Sequence, residues 1–316
     1  MESGECEQGA DRGRGLGRPR CIIGFGGSVA APADDKIDPA LSIGPVHLSV
    51  ADLARSERYY REVLGLEFVP GPQGHATLVA KGTELVRLRE IKDAPPAPDS
   101  SPGLYHFALL LPTRADLANF ARHIMTGRYS IKGTADHLVS ESFYLSDPDH
   151  HGIEVYADRP RSAWHWDRNT VRMAVDPLDL KTLLLEPEKA PIREMGLPAG
   201  TVMGHVHLRV ADLAATQGFY ADVLALDITA SLPGALFASA GGYHHHFGLN
   251  IWQSRGGVPA PPQSAQLERV QVHPGGQKQL EALAKRLMLR NVEAKRTAKG
   301  VDVHDPSGIL LSFDAP

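Results

Sequence analysis

Residues 44–68 read GPVHLSVADLARSERYYREVLGLEF and residues 204–228 read GHVHLRVADLAATQGFYADVLALDI, one phrase written twice at an offset of 160 residues. Each copy opens on alternating apolar residues, Val46, Leu48 and Val50 in the first, as a half-buried strand requires. Asp52 and Asp212 then stand where a helix N-cap belongs. A Tyr-Tyr or Phe-Tyr pair faces inward from the helix, and a second strand follows VLGL or VLAL. The phrase therefore encodes a strand-helix-strand unit.

Two further segments keep this outline. LYHFALLLPTRADLANFARHI from residue 104 ends in FYLSDPDHHGIEVYAD, and LERVQVHPGGQKQLEALAKRL from residue 267 ends in VDVHDPSGILLSFDAP. Four units thus tile the chain at about 41–95, 103–158, 200–255 and 266–314. Pro-rich stretches near 94–102 and 258–263 separate the members of each pair. The expected division is a disordered extension over 1–40, a first domain over 41–160, a linker over 161–199 and a second domain over 200–316. Within the extension, CIIGFGGSVAAPA follows Arg18 and Arg20, but its apolar part is too short and glycine-broken for a secretory signal.

A length of 316 residues with 42% apolar content suits two globular domains. The formal net charge of −4 and the lack of a sustained Lys/Arg run argue against nucleic acid or an anionic membrane as partner, which leaves a small molecule. No stretch approaches 18 uninterrupted apolar residues, so no membrane span is expected. The two cysteines, Cys6 and Cys21, both lie in the extension, which denies the folded body a disulfide framework and fits a reducing cytoplasm. Homo-oligomerisation is left open.

The duplicated pattern VxDLxx(S/T)xx(F/Y)YxxVL(G/A)L resembles the vicinal oxygen chelate superfamily, which includes glyoxalase I, bleomycin and fosfomycin resistance proteins and type I extradiol dioxygenases. The blocks GLYHFALLLP, ADHLVSESFYLSDPD, GIEVYADRP and GYHHHFGLNIW resemble more narrowly its two-domain catechol 2,3-dioxygenase group. The likeness covers about 43–316. It implies an α+β fold of four βαβββ units paired into two open, cup-shaped half-barrel domains, with a divalent metal in a cup.

Comparison of the units sorts the histidines. His47 and His207 share the slot five residues before Asp52 and Asp212, which reads as a half-buried strand position. Seven residues before the same aspartates stand Pro45 and His205, and this is the slot of the superfamily's first-strand ligand. On the last strands Glu154 lies seven residues after Asp147, where the fourth unit has Ser312 after Asp305. His106 on the second unit's first strand corresponds to Arg269 in the fourth, a residue that would repel a cation. His106, Glu154 and His205 therefore form the expected ligand set, a two-histidine, one-carboxylate face suited to Fe(II), with Mn(II) as the alternative. This set implies that units 2 and 3 close one cup and units 1 and 4 a metal-free one.

The triplet His244-His245-His246 is expected to open the last strand of the third unit, so His245 faces one way and its neighbours the other. The resemblance implies an acid/base histidine on that strand. Alignment of Gly248 favours His245, and a slip of one residue favours His246. The resemblance also implies a substrate-contacting Tyr144 and an outer histidine at His137. His150 and His151 read as turn residues on the surface. The implied activity is extradiol cleavage of a small aromatic diol by O2 to a 2-hydroxymuconic semialdehyde-type product. A Ni(II) or Zn(II) isomerase of the glyoxalase kind would ordinarily require a fourth ligand, and a bleomycin-resistance-like binding protein would lack the three found here.

Overall fold

Complete burial of Val46, Leu48 and Val50 on one face of β1 (Ser42–Val50) sets the pattern for all four units. The structure, a computed structural model, describes residues 36–315. Unit 1 continues through α1 (Leu53–Glu62), β2 (Glu67–Pro70), β3 (His75–Ala80) and β4 (Thr83–Glu90). Unit 2 comprises β5 (Gly103–Leu110), α2 (Arg114–Gly127), β6 (Gly133–Asp136), β7 (Ser140–Ser146) and β8 (Gly152–Asp158). The connecting segment carries β9 (Trp166–Asp167), β10 (Thr170–Val171), α3 (Leu180–Leu183) and α4 (Ile192–Met195). Unit 3 has β11 (Val202–Arg209), α5 (Leu213–Gln217) running into a π-helical turn over Gly218–Val223, β12 (Asp227–Leu232), β13 (Ala235–Ser239) and β14 (Phe247–Asn250). Unit 4 has β15 (Leu267–His273), α6 (Gln277–Leu289), β16 (Ala294–Arg296), β17 (Gly300–His304) and β18 (Leu310–Asp314). The expected N-caps are in place: Asp52 accepts from Arg55 N–H at 2.9 Å and Asp212 from Ala215 N–H at 2.8 Å.

The strands form two eight-stranded sheets. One runs β16-β17-β18-β15-β1-β4-β3-β2 and the other β12-β13-β14-β11-β5-β8-β7-β6. Each sheet joins its two units through an antiparallel central pair, β1 with β15 and β5 with β11. The halves 41–160 and 200–316 therefore do not each own a sheet; unit 1 pairs with unit 4, and unit 2 with unit 3. Residues of the expected extension up to 35 lie outside the described residues. Residues 36–40 are ordered by contacts, since Ile37 is buried and Lys36 pairs with Asp227 at 2.8 Å. Among the described residues no helix is long and apolar enough to cross a membrane.

Within each half of the chain, the two units are tied across the sheets by a buried Tyr–Asp contact. Tyr60 O–H donates to Asp147 Oδ2 at 2.9 Å, and Tyr220 O–H to Asp305 Oδ2 at 3.3 Å. The other carboxylate oxygens accept backbone N–H groups, from Asp149 and His151 in one turn and from Ser307 and Ile309 in the other. The first turn corrects the expectation of a surface His151: the chain folds back on Asp147, buries the imidazole, and directs its Nε2–H to Ser49 O at 2.9 Å. His150 is exposed. Tyr60→Phe is expected to destabilise the protein by about 1.5–3 kcal/mol, the range for a hydrogen bond to a charged group, and Tyr220→Phe by less because its contact is longer. Denaturant unfolding of both variants checks this order.

Candidate active site

Ala108 on β5 organises the ligands. It is paired with His205 across the antiparallel β11 and with Glu154 across the parallel β8, so all three side chains leave one face of the sheet. The alanine methyl is small enough for an imidazole and a carboxylate to meet above it. His106, two residues earlier on β5, shares that face. One ligand atom from each of His106, Glu154 and His205 lies within 4.8 Å of the others, and all three residues are buried. Among the described residues no other such group occurs.

His205 Nε2–H donates to Glu154 Oε2 at 3.1 Å. His106 Nε2 lies 2.9 Å from the same oxygen yet makes no hydrogen bond, and His205 Nδ1 has no partner either. Glu154 Oε1 accepts from Ser142 O–H at 2.6 Å. Burial by itself would raise the Glu154 carboxyl, but His205 and His106 hold it well below the usual carboxylate range. Burial pulls His205 down to about 4, against the attraction of Glu154, so the imidazole is neutral near pH 7. A carboxylate and two imidazoles converging on one point, with a buried nitrogen left unbonded there, are a donor set that fits a divalent cation.

A cavity of about 510 Å³ adjoins the set, and His106, Glu154 and His245 face it. Tyr144 also lines it and is tied to His137 at 2.6 Å through Nε2. His137 Nδ1–H donates to Ala174 O at 2.7 Å, which turns the other ring nitrogen toward the Tyr144 hydroxyl. Burial and the charge of Glu154 keep the Tyr144 phenol well above its ordinary value, hence protonated. The connecting segment therefore contributes a wall: Met173, Ala174 and Val175 line the cavity, held by His137 and by the Asp136–Asp176 bridge.

The triplet departs from the strand reading. β14 begins at Phe247, and His244–His246 occupy a bent segment before it, so alternation does not sort them. His245 packs against His205 with ring centroids 4.1 Å apart and planes tilted by 49°, and it lines the cavity, where burial and then the neighbouring His205 push it well below its ordinary value. His246 is not among the lining residues; its Nδ1 accepts from Ser239 O–H at 2.9 Å and Ala240 N–H at 3.3 Å. His244 neither faces away from His245 nor shares the surroundings of His246, for its Nδ1 meets His245 Nδ1 at 2.7 Å.

Tyr105, Phe237 and Trp252 line the cavity without having been singled out, and so does His207, read above as a strand position shared with His47. Parity was the available signal, because His207 stands two residues from His205 and so shares its face. Gly248 makes room for it, since a Cβ there would lie 2.8 Å from His207 Cγ. Its Nε2 accepts from Asn250 Nδ2–H at 3.0 Å. His47, by contrast, lies on the other sheet, lowered to about 4 by burial and by Arg269 and Arg87.

The pattern of the Glyoxalase/Bleomycin resistance protein/Dioxygenase superfamily matches residues 42–155. The catechol-2,3-dioxygenase of Bacillus subtilis (strain 168) is 40% identical over 277 residues, spanning 86% of this chain and 96% of that protein. Glyoxalase I from Zea mays superposes with a TM-score of 0.54 at 16% identity, over 87% of this chain and 92% of that one. A crystal structure from Bacillus subtilis subsp. subtilis str. 168 gives 0.60 at 11% identity, over 89% and 87%. At those identities the two structures speak for the fold alone. The 40% identity along nearly the whole of a relative carries more: the chain belongs to the glyoxalase/bleomycin resistance protein/dioxygenase superfamily and, within it, to the family of the catechol-2,3-dioxygenases.

Proposed function

We propose that the chain is an extradiol dioxygenase that opens a catechol-type ring beside one of its hydroxyls, consuming O2 and yielding a 2-hydroxymuconic semialdehyde-type product. The observation that carries this reading is the convergence of His106, His205 and Glu154 at the edge of a cavity of small-molecule size. These three would hold Fe(II), with Mn(II) the alternative; two imidazoles and one carboxylate leave part of the coordination sphere to substrates. The ion, when bound, supplies the redox chemistry that activates dioxygen beside the aromatic diol.

The protein groups divide the remaining work. Tyr144, kept protonated by burial and by the charge of Glu154 and oriented by His137, is placed to hydrogen-bond a substrate hydroxyl. His245, a neutral imidazole facing the cavity, takes a proton from the diol and returns one as the ring opens. Trp252, Tyr105, Phe237 and Met173 surround the ring with apolar surface and limit water around it. Hydroxyl-proton removal is the step that needs this neutral base near pH 7.

Anaerobic loading of the protein with Fe(II), followed by catechol in air, is expected to give stoichiometric oxygen uptake and a yellow product. Loading with Mn(II) in a parallel sample decides the metal. Conversion of methylglyoxal-glutathione hemithioacetal, with no oxygen uptake on catechol, would replace the reading with the isomerase.

A further inference from the structure

Two of the three adjacent histidines are joined to each other and to a carboxylate at the protein surface. His244 Nδ1 and His245 Nδ1 lie 2.7 Å apart, and His244 Nε2 lies 2.9 Å from Asp158 Oδ1 at the end of β8. Two ring nitrogens at that distance share one proton, so one ring donates and the other accepts. The carboxylate of Asp158 can only accept, which places a proton on His244 Nε2. A neutral His244 then has a bare Nδ1, and His245 must donate to it from its own Nδ1. The nitrogen that His245 has left, Nε2, carries a lone pair.

We propose that Asp158 and His244 are positioning residues that fix the tautomer of His245, so that the imidazole at the metal cavity presents an unprotonated Nε2 to the incoming diol. The inference rests on the reading of His245 as the acid/base group. The pair is rigidly placed for this task. His244 is fully buried, its ring 4.1 Å from that of Tyr243 and edge-on to Trp164 at 5.2 Å, and its carbonyl accepts from Thr229 O–H at 2.5 Å. Asp158, with its side chain 23% exposed, is the member of the series in contact with solvent. A tautomer set by hydrogen bonding through the far ring nitrogen needs no motion when substrate arrives.

The experiment has a structural and a kinetic arm. Long-range ¹H–¹⁵N spectra of the protein loaded with diamagnetic Zn(II), with His244→Phe and His245→Gln for assignment, report which nitrogen of His245 bears the proton. The expected result is Nδ1–H in the parent protein. In Asp158→Asn the obligate acceptor is gone, and His245 is expected to show both tautomers or the reverse one. Asp158→Asn loaded with Fe(II) is expected to lose roughly 10- to 100-fold in kcat, the range for an outer partner, with KM for catechol and metal content unchanged. Asp158→Glu, which restores an obligate acceptor, is expected to recover part of it.

A proton on His245 Nε2 in the parent, as an imidazolium at His244 would impose, overturns the proposal. So does an unchanged His245 tautomer in either Asp158→Asn or His244→Phe, so that the test stays decisive if one of the two fails to fold. An inactive parent, or a fully active His245→Ala, removes the functional reading instead, and the spectra still decide the tautomer.

Discussion

Glu154→Gln is expected to strip the protein of its metal while leaving the fold in place. The amide keeps the volume of the carboxylate and can still accept from Ser142 O–H, which at present bonds Oε1 at 2.6 Å. What it removes is the negative charge toward which both imidazoles converge. Loss of an outer hydrogen-bond partner alone costs metal sites roughly 10- to 100-fold in affinity, so loss of an anionic ligand is expected to exceed about 100-fold. Turnover should fall below detection. The stability change should stay within about 1–3 kcal/mol, the cost of imperfectly satisfied buried groups. His47→Ala is the control: it lies on the other sheet, between Arg87 and Arg269, and should keep metal near the parent level. Metal analysis and urea unfolding of both variants check the pair, and full occupancy in purified Glu154→Gln would place the site elsewhere.

The four units were legible because their signal is local and repeated: an alternating strand followed by a helix, with an aspartate cap and inward aromatics in units 1 and 3. Which units share a sheet is a different kind of fact. β1, β5, β11 and β15 present similar alternation, and nothing in a strand's own periodicity names its hydrogen-bonded neighbour. Division into halves at the linker follows chain order, whereas the sheets follow the antiparallel pairs β1–β15 and β5–β11. The distribution of ligands held the needed information, since His106 and Glu154 of unit 2 meet His205 of unit 3 only if those units are joined.

The site was legible to the same depth. His106, Glu154 and His205 stand on regular strands, where position in the unit fixes direction. His151 stands in a turn that Asp147 closes by accepting two backbone N–H groups, and its imidazole is buried against Ser49 O of unit 1, a long-range contact that the string DPDHHG does not display. The wall formed by Met173 and Val175 was hidden for a related reason: the segment belongs to no unit, and is carried to the cavity by His137 and the Asp136–Asp176 bridge.

His245→Ala should retain metal and bind catechol, yet lose turnover by roughly 10² to 10⁴, the contribution of a positioned acid/base group. The expectation depends on where the bent segment before β14 directs each ring. His245 lies at the cavity against His205, with one nitrogen engaged by His244 and the other available to substrate. His246, pulled down to about 3 by burial and then by His244, uses Nδ1 to satisfy Ser239 and the Ala240 N–H. Its replacement by Ala leaves the buried Ala240 N–H without a partner and the Ser239 hydroxyl with only its longer bond to Ala240 O at 3.3 Å, so His246→Ala should cost about 1–3 kcal/mol of stability with kcat close to the parent value. Steady-state oxygen uptake and thermal unfolding of the two variants give opposite profiles, one active-site defect in a stable protein and one stability defect in an active one. A crippled His246→Ala enzyme beside a near-normal His245→Ala one would mean that the segment turns a different ring toward the substrate.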